Sequence, residues 1–89
     1  MVLTDKMREY IIDDLAEALA EIKDREEMKD FLEAILTPAE YKAIPLRLAI
    51  VKMLKNGLTQ REIVERLGVG IATVTRGARE LKLEKFKNV

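Results

Sequence analysis

The chain has 89 residues, enough for one small domain. Its 16 basic and 16 acidic side chains give a net charge of zero, which over the whole chain argues against nucleic-acid binding. It contains no cysteine and no histidine, so we expect no disulfide, no metal site, no cofactor and no enzymatic activity. No apolar run approaches the roughly 20 residues that cross a bilayer, and we expect a cytoplasmic protein without membrane contact.

The neutral total conceals two oppositely charged parts. Residues 1–36 contain 5 basic and 11 acidic side chains, whereas residues 37–89 contain 11 basic and 5 acidic ones. A basic C-terminal part is compatible with contacts to phosphates, and equally with solvated helix surfaces. Charge alone leaves both interpretations open.

The acidic part predicts two amphipathic helices. From Met7 to Ile22, apolar residues recur at steps of three and four positions. This pattern predicts a helix over about residues 5–22. Asp24 with Glu27 three positions later is typical of a helix start, and apolar residues with helical spacing follow as far as Ile35.

The third predicted helix has the clearest N-terminal sequence in the chain. Thr37, Pro38 and Glu40 provide a hydroxyl cap, a proline where no amide donor is needed and a carboxylate that reaches back. We expect the helix to run to about residue 56, where Gly57 can adopt the left-handed conformation. Pro45 removes an amide donor inside the helix and predicts a kink.

The third helix is apolar on two sides. These sides consist of Tyr41, Ile44, Leu48 and Val51 on one and Ala43, Leu46, Ile50, Met53 and Leu54 on the other. A small chain has few elements with which to cover both, so the pattern predicts an obligate homodimer with this helix in the shared core. A monomer wrapped by its own first helix is the alternative.

Residues 58–82 predict a helix-turn-helix. Thr59 and Glu62 form a capping-box sequence, Gly68 ends a short helix, and Gly70 precedes a second one. Small methyl and hydroxyl groups on the second helix suit base edges in a major groove, and its arginines suit phosphate or guanine. The residues of that helix outside its apolar side are Ala72, Thr73, Thr75, Arg76, Arg79 and Glu80.

Gly77 is unexpected within the second helix. A glycine inside a helix costs about 1 kcal/mol relative to alanine. Either another backbone or a ligand must pack closely there, and the sequence pattern does not choose between them.

The sequence resembles the tryptophan-operon repressor family in three places. They are TQREIVERLGVGIATVTRGARELK at residues 59–82, LTPAE at residues 36–40 and the pair Leu46 and Arg47. The resemblance covers about residues 36–82, and GIATVTRG at residues 70–77 is its most specific part. It implies an all-α, intertwined homodimer that binds double-stranded operator DNA under control of L-tryptophan as corepressor. Residues 1–57 would be dimerisation helices, residues 58–82 the helix-turn-helix and residues 83–89 a short tail of a single domain.

By position, the resemblance also implies a tryptophan site. Arg47 and Arg76 would sandwich the indole ring, Arg47 with Thr37 would bind the carboxylate, and Gly77 would make room for the ring. Glu80 stands where the family commonly has a serine near the ligand's amino group. A carboxylate at this position would either bind the ammonium group or repel the ligand's carboxylate.

The DNA-binding residues follow from the same comparison and from the helix pattern. Ile71, Ala72, Thr73 and Thr75 would face bases, directly or through water, and Arg61 would face a phosphate. The full set is Arg61, Gly70, Ile71, Ala72, Thr73, Thr75 and Arg79. Two alternatives stay open: a regulator of this superfamily that is constitutive or responds to another ligand, and an adaptor whose acidic first helix recruits a protein.

Overall fold

In a computed structural model that describes residues 2–89, these residues form five helices and no strand. The helices are α1 (Asp5–Glu21), α2 (Arg25–Ile35), α3 (Pro38–Lys55), α4 (Gln60–Leu67) and α5 (Ile71–Lys82). The predicted all-α fold is confirmed. The described residues divide into two compact units, residues 2–38 and residues 39–89. No helix within residues 2–89 is both long enough and apolar enough to cross a bilayer.

The first unit contains α1 and α2, each begun by a side-chain cap. The Thr4 hydroxyl accepts the Met7 amide at 3.1 Å, and the Asp24 carboxylate accepts the Glu27 amide at 3.0 Å. The predicted starts are confirmed, and α1 ends one residue earlier than predicted. No residue of α1 or α2 is buried, and Tyr10 is 72% exposed. The apolar sides of both helices are therefore available to a further surface.

The helix α3 continues through Pro45 and ends as predicted at a left-handed glycine. Gly57 has a φ of 88°, and the amides of Gly57 and Leu58 donate to the carbonyls of Leu54 and Met53 at 3.1 Å. These two bonds form a Schellman motif, which satisfies the last carbonyls of the helix. The kink at Pro45 stays a prediction.

The second unit is held together by an apolar core shared by α3, α4 and α5. Ile50, Ile63 and Val74, one from each helix, are fully buried and in contact. Thr59 and Glu62 form the predicted capping box of α4, and Gly68 ends that helix with a φ of 65°. The core is surrounded by Leu46, Met53, Leu54, Leu58, Val64, Leu67 and Val69. This core fixes the positions of α4 and α5 relative to α3.

The end of α5 repeats the Schellman motif without glycine. The Glu84 amide donates to the Leu81 carbonyl at 3.0 Å, and the Lys85 amide donates to the Glu80 carbonyl at 3.3 Å. Glu84 itself has a φ of 62°, a left-handed conformation that costs a residue with a Cβ atom about 1–2 kcal/mol. The turn redirects the chain after α5, and Lys55 on α3 then holds the following segment by donating to the carbonyls of Phe86 and Val89.

Replacing Glu84 with glycine is expected to raise the free energy of unfolding by about 1 kcal/mol, because glycine adopts this conformation without strain. Urea unfolding at one fixed protein concentration measures the change. Glu84→Ala is the control, since it removes the carboxylate and keeps the strain, and it should change little. Equal stabilisation by both variants would show that the carboxylate, not the backbone, is responsible.

Candidate functional site

An open cleft of about 620 Å³ lies between α3 and α5 within the second unit. One wall comes from α3, a second from α5 and a third from the segment after α5. The lining residues are Ala43, Leu46, Arg47, Ile50, Val51, Thr73, Arg76, Gly77, Glu80, Lys85 and Phe86. The floor is apolar and the rim contains three cationic groups and one carboxylate, a composition typical of a site for a small amphiphilic anion.

The structure brings four of the five predicted ligand residues to this cleft. Arg47 lines it from α3, and Arg76, Gly77 and Glu80 line it from α5. Both arginine side chains belong to exposed residues, and neither forms an ion pair within residues 2–89. Their guanidinium groups are therefore available to an anionic ligand. Thr37 belongs to the first unit, and its part in the site stays a prediction.

The reason for a glycine at residue 77 is a close approach of α5 to α3. A Cβ atom at this position would lie 2.9 Å from Cγ2 of Ile50 and 3.8 Å from Cδ1 of Leu54. Ile50 is only 1% exposed, and its Cγ2 is attached directly to its Cβ, so the methyl group has little freedom to move aside. The sequence left open close packing by another backbone or by a ligand, whereas the neighbour in the structure is a side chain of α3. Gly77 also lines the cleft.

Glu80 forms an ion pair at the rim of the cleft. Its Oε2 accepts from Nζ of Lys85 at 2.9 Å, and its side chain is 29% exposed. The hydrogen bond from Lys85 lowers the pKa of the Glu80 carboxyl from its ordinary value; partial burial opposes this shift, and the charges of Lys85, Arg76 and Arg79 add to it. Glu80 is therefore ionised at neutral pH and already has a cationic partner.

Two cleft residues, Lys85 and Phe86, are absent from the sequence-based prediction. Both follow the left-handed turn at Glu84, and Nζ of Lys55 on α3 holds the segment by donating to the carbonyls of Phe86 and Val89. A left-handed turn at the end of a helix is usually marked by glycine, and here the residue is glutamate. The sequence therefore gives no signal for the turn. The five-residue spacing of Glu80 and Lys85 also differs from the three or four residues typical of ion pairs along a helix.

The exposed side of α5 contains five of the seven predicted DNA-binding residues. Ile71 is 55% exposed although it is apolar, and Ala72, Thr73 and Thr75 are exposed beside it, as is Arg79 further along the helix. This surface also includes a shallow groove. Its lining residues are Ala72, Thr75, Arg76, Arg79 and Glu80. Arg76 and Glu80 thus line both this groove and the cleft, so the two surfaces share side chains.

The contact between α4 and α5 includes one polar bond at this surface. The Thr75 hydroxyl donates to Oε1 of Gln60 at 2.9 Å. Arg61, one residue further along α4, is 90% exposed and lies 3.8 Å from Glu65, a distance at which an exposed pair contributes little. Gly70 precedes α5, with open space where a Cβ atom would lie.

These features define a class of all-helical protein in which an arginine-lined cleft lies beside an exposed helix. Residues 2–89 contain no cluster of side chains suited to a metal ion. The chain belongs to the Trp repressor family, because the sequence profile described as Trp repressor protein matches residues 11–88. This match extends beyond the resemblance at residues 36–82 in both directions. Proteins of this family are DNA-binding regulators, which confirms that the chain is not an enzyme.

Individual relatives show the same similarity. The chain is 44% identical over 75 residues to a Trp operon repressor homolog of Photobacterium profundum, covering 83% of this chain and 69% of that protein. It is 42% identical over 77 residues to a Trp operon repressor homolog of Chlamydia caviae, and the aligned residues cover 83% of this chain and 76% of that protein. Another in Vibrio vulnificus is 52% identical over 54 residues, which span 60% of this chain and about half, 53%, of the relative.

Replacing Gly77 with alanine is expected to lower the free energy of unfolding by about 1 kcal/mol. Overpacking against Ile50 costs about 1–3 kcal/mol, which exceeds the roughly 1 kcal/mol that alanine gains over glycine in a helix. In an Ile50→Leu background, which lacks the Cγ2 methyl group, the same replacement is expected to stabilise the protein. Denaturant unfolding of the four variants measures this coupling. The same effect of Gly77→Ala in both backgrounds would exclude the contact as the reason for the glycine.

Proposed function

We propose that the protein is a sequence-specific, DNA-binding transcriptional repressor that acts in the cytoplasm as a homodimer with L-tryptophan as corepressor. The observation that supports this most directly is the position of α5. Its Arg76, Gly77 and Glu80 line the cleft, and the exposed residues Ile71, Ala72, Thr73 and Thr75 belong to the same helix. A ligand in the cleft therefore contacts the helix that we assign to DNA reading.

In this proposal α4 and α5 form a helix-turn-helix, with α5 as the recognition helix. The methyl groups of Ile71 and Ala72 suit the methyl group of thymine, and the hydroxyls of Thr73 and Thr75 suit polar base edges, directly or through water. Gly70 allows the backbone to approach the DNA. Arg79, and Arg61 on α4, reach phosphates or guanine from the two helices.

The cleft suits tryptophan in its shape and in its charge. Arg47 and Arg76 provide guanidinium groups for the carboxylate and for the faces of the indole ring. The apolar floor and Phe86 provide contact area for the ring. Glu80 provides an acceptor for the ammonium group.

The dimer follows from apolar surface that the single chain leaves exposed. Tyr41, Ile44 and Leu48, the first apolar side of α3, are each about 40% exposed, although Val51 of the same side is buried. In the first unit Tyr10, Ile11 and Ile12 are more than half exposed. Surface of this kind on both units is typical of a chain that completes its core with a second copy.

A second candidate keeps the DNA-binding role and changes the ligand. Glu80 favours it, because a carboxylate in the cleft opposes a ligand's carboxylate. A constitutive regulator, or one that responds to another small molecule, would then share the fold. The response to tryptophan distinguishes the two candidates.

Tryptophan is expected to raise operator affinity by about 5- to 150-fold, the range of typical allosteric coupling, and operator DNA should raise tryptophan affinity by the same factor. Calorimetric titration and operator binding with and without tryptophan measure both effects. Arg47→Met should abolish most of the response, whereas Lys52→Met, a change of another exposed cation on α3, should preserve it. Operator affinity that is unaffected by tryptophan would favour the second candidate.

Binding to DNA is expected to weaken steeply as salt rises, because contacts to phosphates release counterions. Replacing Arg61 with glutamine should weaken binding to all sequences alike and reduce the slope of log K against log salt by about one per subunit. Arg66→Gln, on the same helix, is the matched control and should leave the slope unchanged. An adaptor without a DNA role would show no salt-sensitive retention on DNA at all.

A further inference from the structure

Lys85 is fixed against Glu80 by two separate bonds. Its amide donates to the Glu80 carbonyl at 3.3 Å, and its ammonium group donates to the Glu80 carboxylate at 2.9 Å. The first bond belongs to the turn at Glu84, and Lys55 holds the segment that follows. The backbone thus presents this lysine to that carboxylate.

The charges that line the cleft are unequal in number. Arg47, Arg76 and Lys85 are cationic and Glu80 is the anionic residue among the lining side chains. Because Lys85 occupies one oxygen of Glu80, the pair is close to neutral, and the two arginines are left for a ligand's carboxylate. Without Lys85, the full charge of Glu80 would repel that carboxylate and compete for Arg76.

We propose that Lys85 is a specificity-determining residue that sets the charge balance of the cleft and thereby its preference for carboxylate ligands over amine ligands. This rests on the proposed function, because it requires a small ligand of the tryptophan type in the cleft. Lys85 acts through Glu80 and needs no contact with the ligand itself. A residue outside the helix-turn-helix therefore influences which ligand that unit accepts.

Two indole probes that each keep one charge of tryptophan test the proposal. Indole-3-propionate has the carboxylate without the ammonium group, and tryptamine has the ammonium group without the carboxylate. In Lys85→Met the affinity for indole-3-propionate should fall and that for tryptamine should rise, each by about two- to fivefold, the range expected for a partly exposed ion pair. Calorimetric titration of the full chain measures both.

Two further variants separate the charge effect from structural damage. Glu80→Gln combined with Lys85→Met removes both charges and should return the ratio of the two affinities to within about twofold of the unsubstituted protein. Lys87→Met removes a neighbouring cation outside the cleft lining and should leave the ratio unchanged. Equal losses for both probes in Lys85→Met, or an unchanged ratio, would overturn the proposal.

A ligand-free measurement distinguishes failure of this inference from failure of the proposed function. If the unsubstituted protein binds neither probe nor tryptophan, the proposed tryptophan control fails. The pair itself is then tested by following the Glu80 carboxyl by NMR against pH: Lys85→Met should raise its titration midpoint, because Lys85 is the main cause of its lowered pKa. A midpoint that does not move would show that Lys85 does not neutralise Glu80, and would overturn the inference independently of any ligand.

Discussion

The contact of Gly77 with Ile50 determines how closely α5 can approach α3, and the cleft depends on that approach. A Cβ atom at residue 77 would lie 2.9 Å from a buried methyl group, so any larger residue would push the two helices apart. Arg47 on α3 and Arg76 on α5 both line the cleft at which the two helices meet. The same close packing therefore positions both guanidinium groups and the helix that we propose to read DNA. In the proposed repressor, a ligand that binds here therefore contacts both helices and acts on the placement of α5.

Charge has two separate roles in this chain. Within the cleft, the pair of Glu80 and Lys85 limits the charge that a ligand meets, so that the arginines remain available. Over the whole chain, the 11 acidic side chains of residues 1–36 offset the excess of basic ones that follow. In the proposed repressor, this balance limits attraction to phosphates of any sequence and leaves more of the discrimination to the geometry of the reading helices.

Much of the fold could be predicted from the sequence because its helices are delimited by local chemistry. Thr59 with Glu62 and the glycines at residues 57 and 68 act within a few residues of themselves, and the structure places them as predicted. The cleft was predicted in part, since Arg47, Arg76, Gly77 and Glu80 belong to a specific motif. Lys85 and Phe86 were not, because they reach the cleft through a left-handed turn at a glutamate. The packing reason for Gly77 likewise depends on Ile50, a residue 27 positions away.

In the proposed repressor, tryptophan sets the placement of the recognition helices in a homodimer. The chain has no cysteine, so Ala72→Cys on the exposed side of α5 provides one spin-label site per subunit. Pulsed electron paramagnetic resonance then measures the distance between the two labels with and without tryptophan. Tryptophan is expected to narrow the distribution toward about 34–36 Å, the half-site spacing that helix-turn-helix dimers share, the Trp repressor among them. An identical distribution in both conditions, or no measurable distance between subunits, would contradict it.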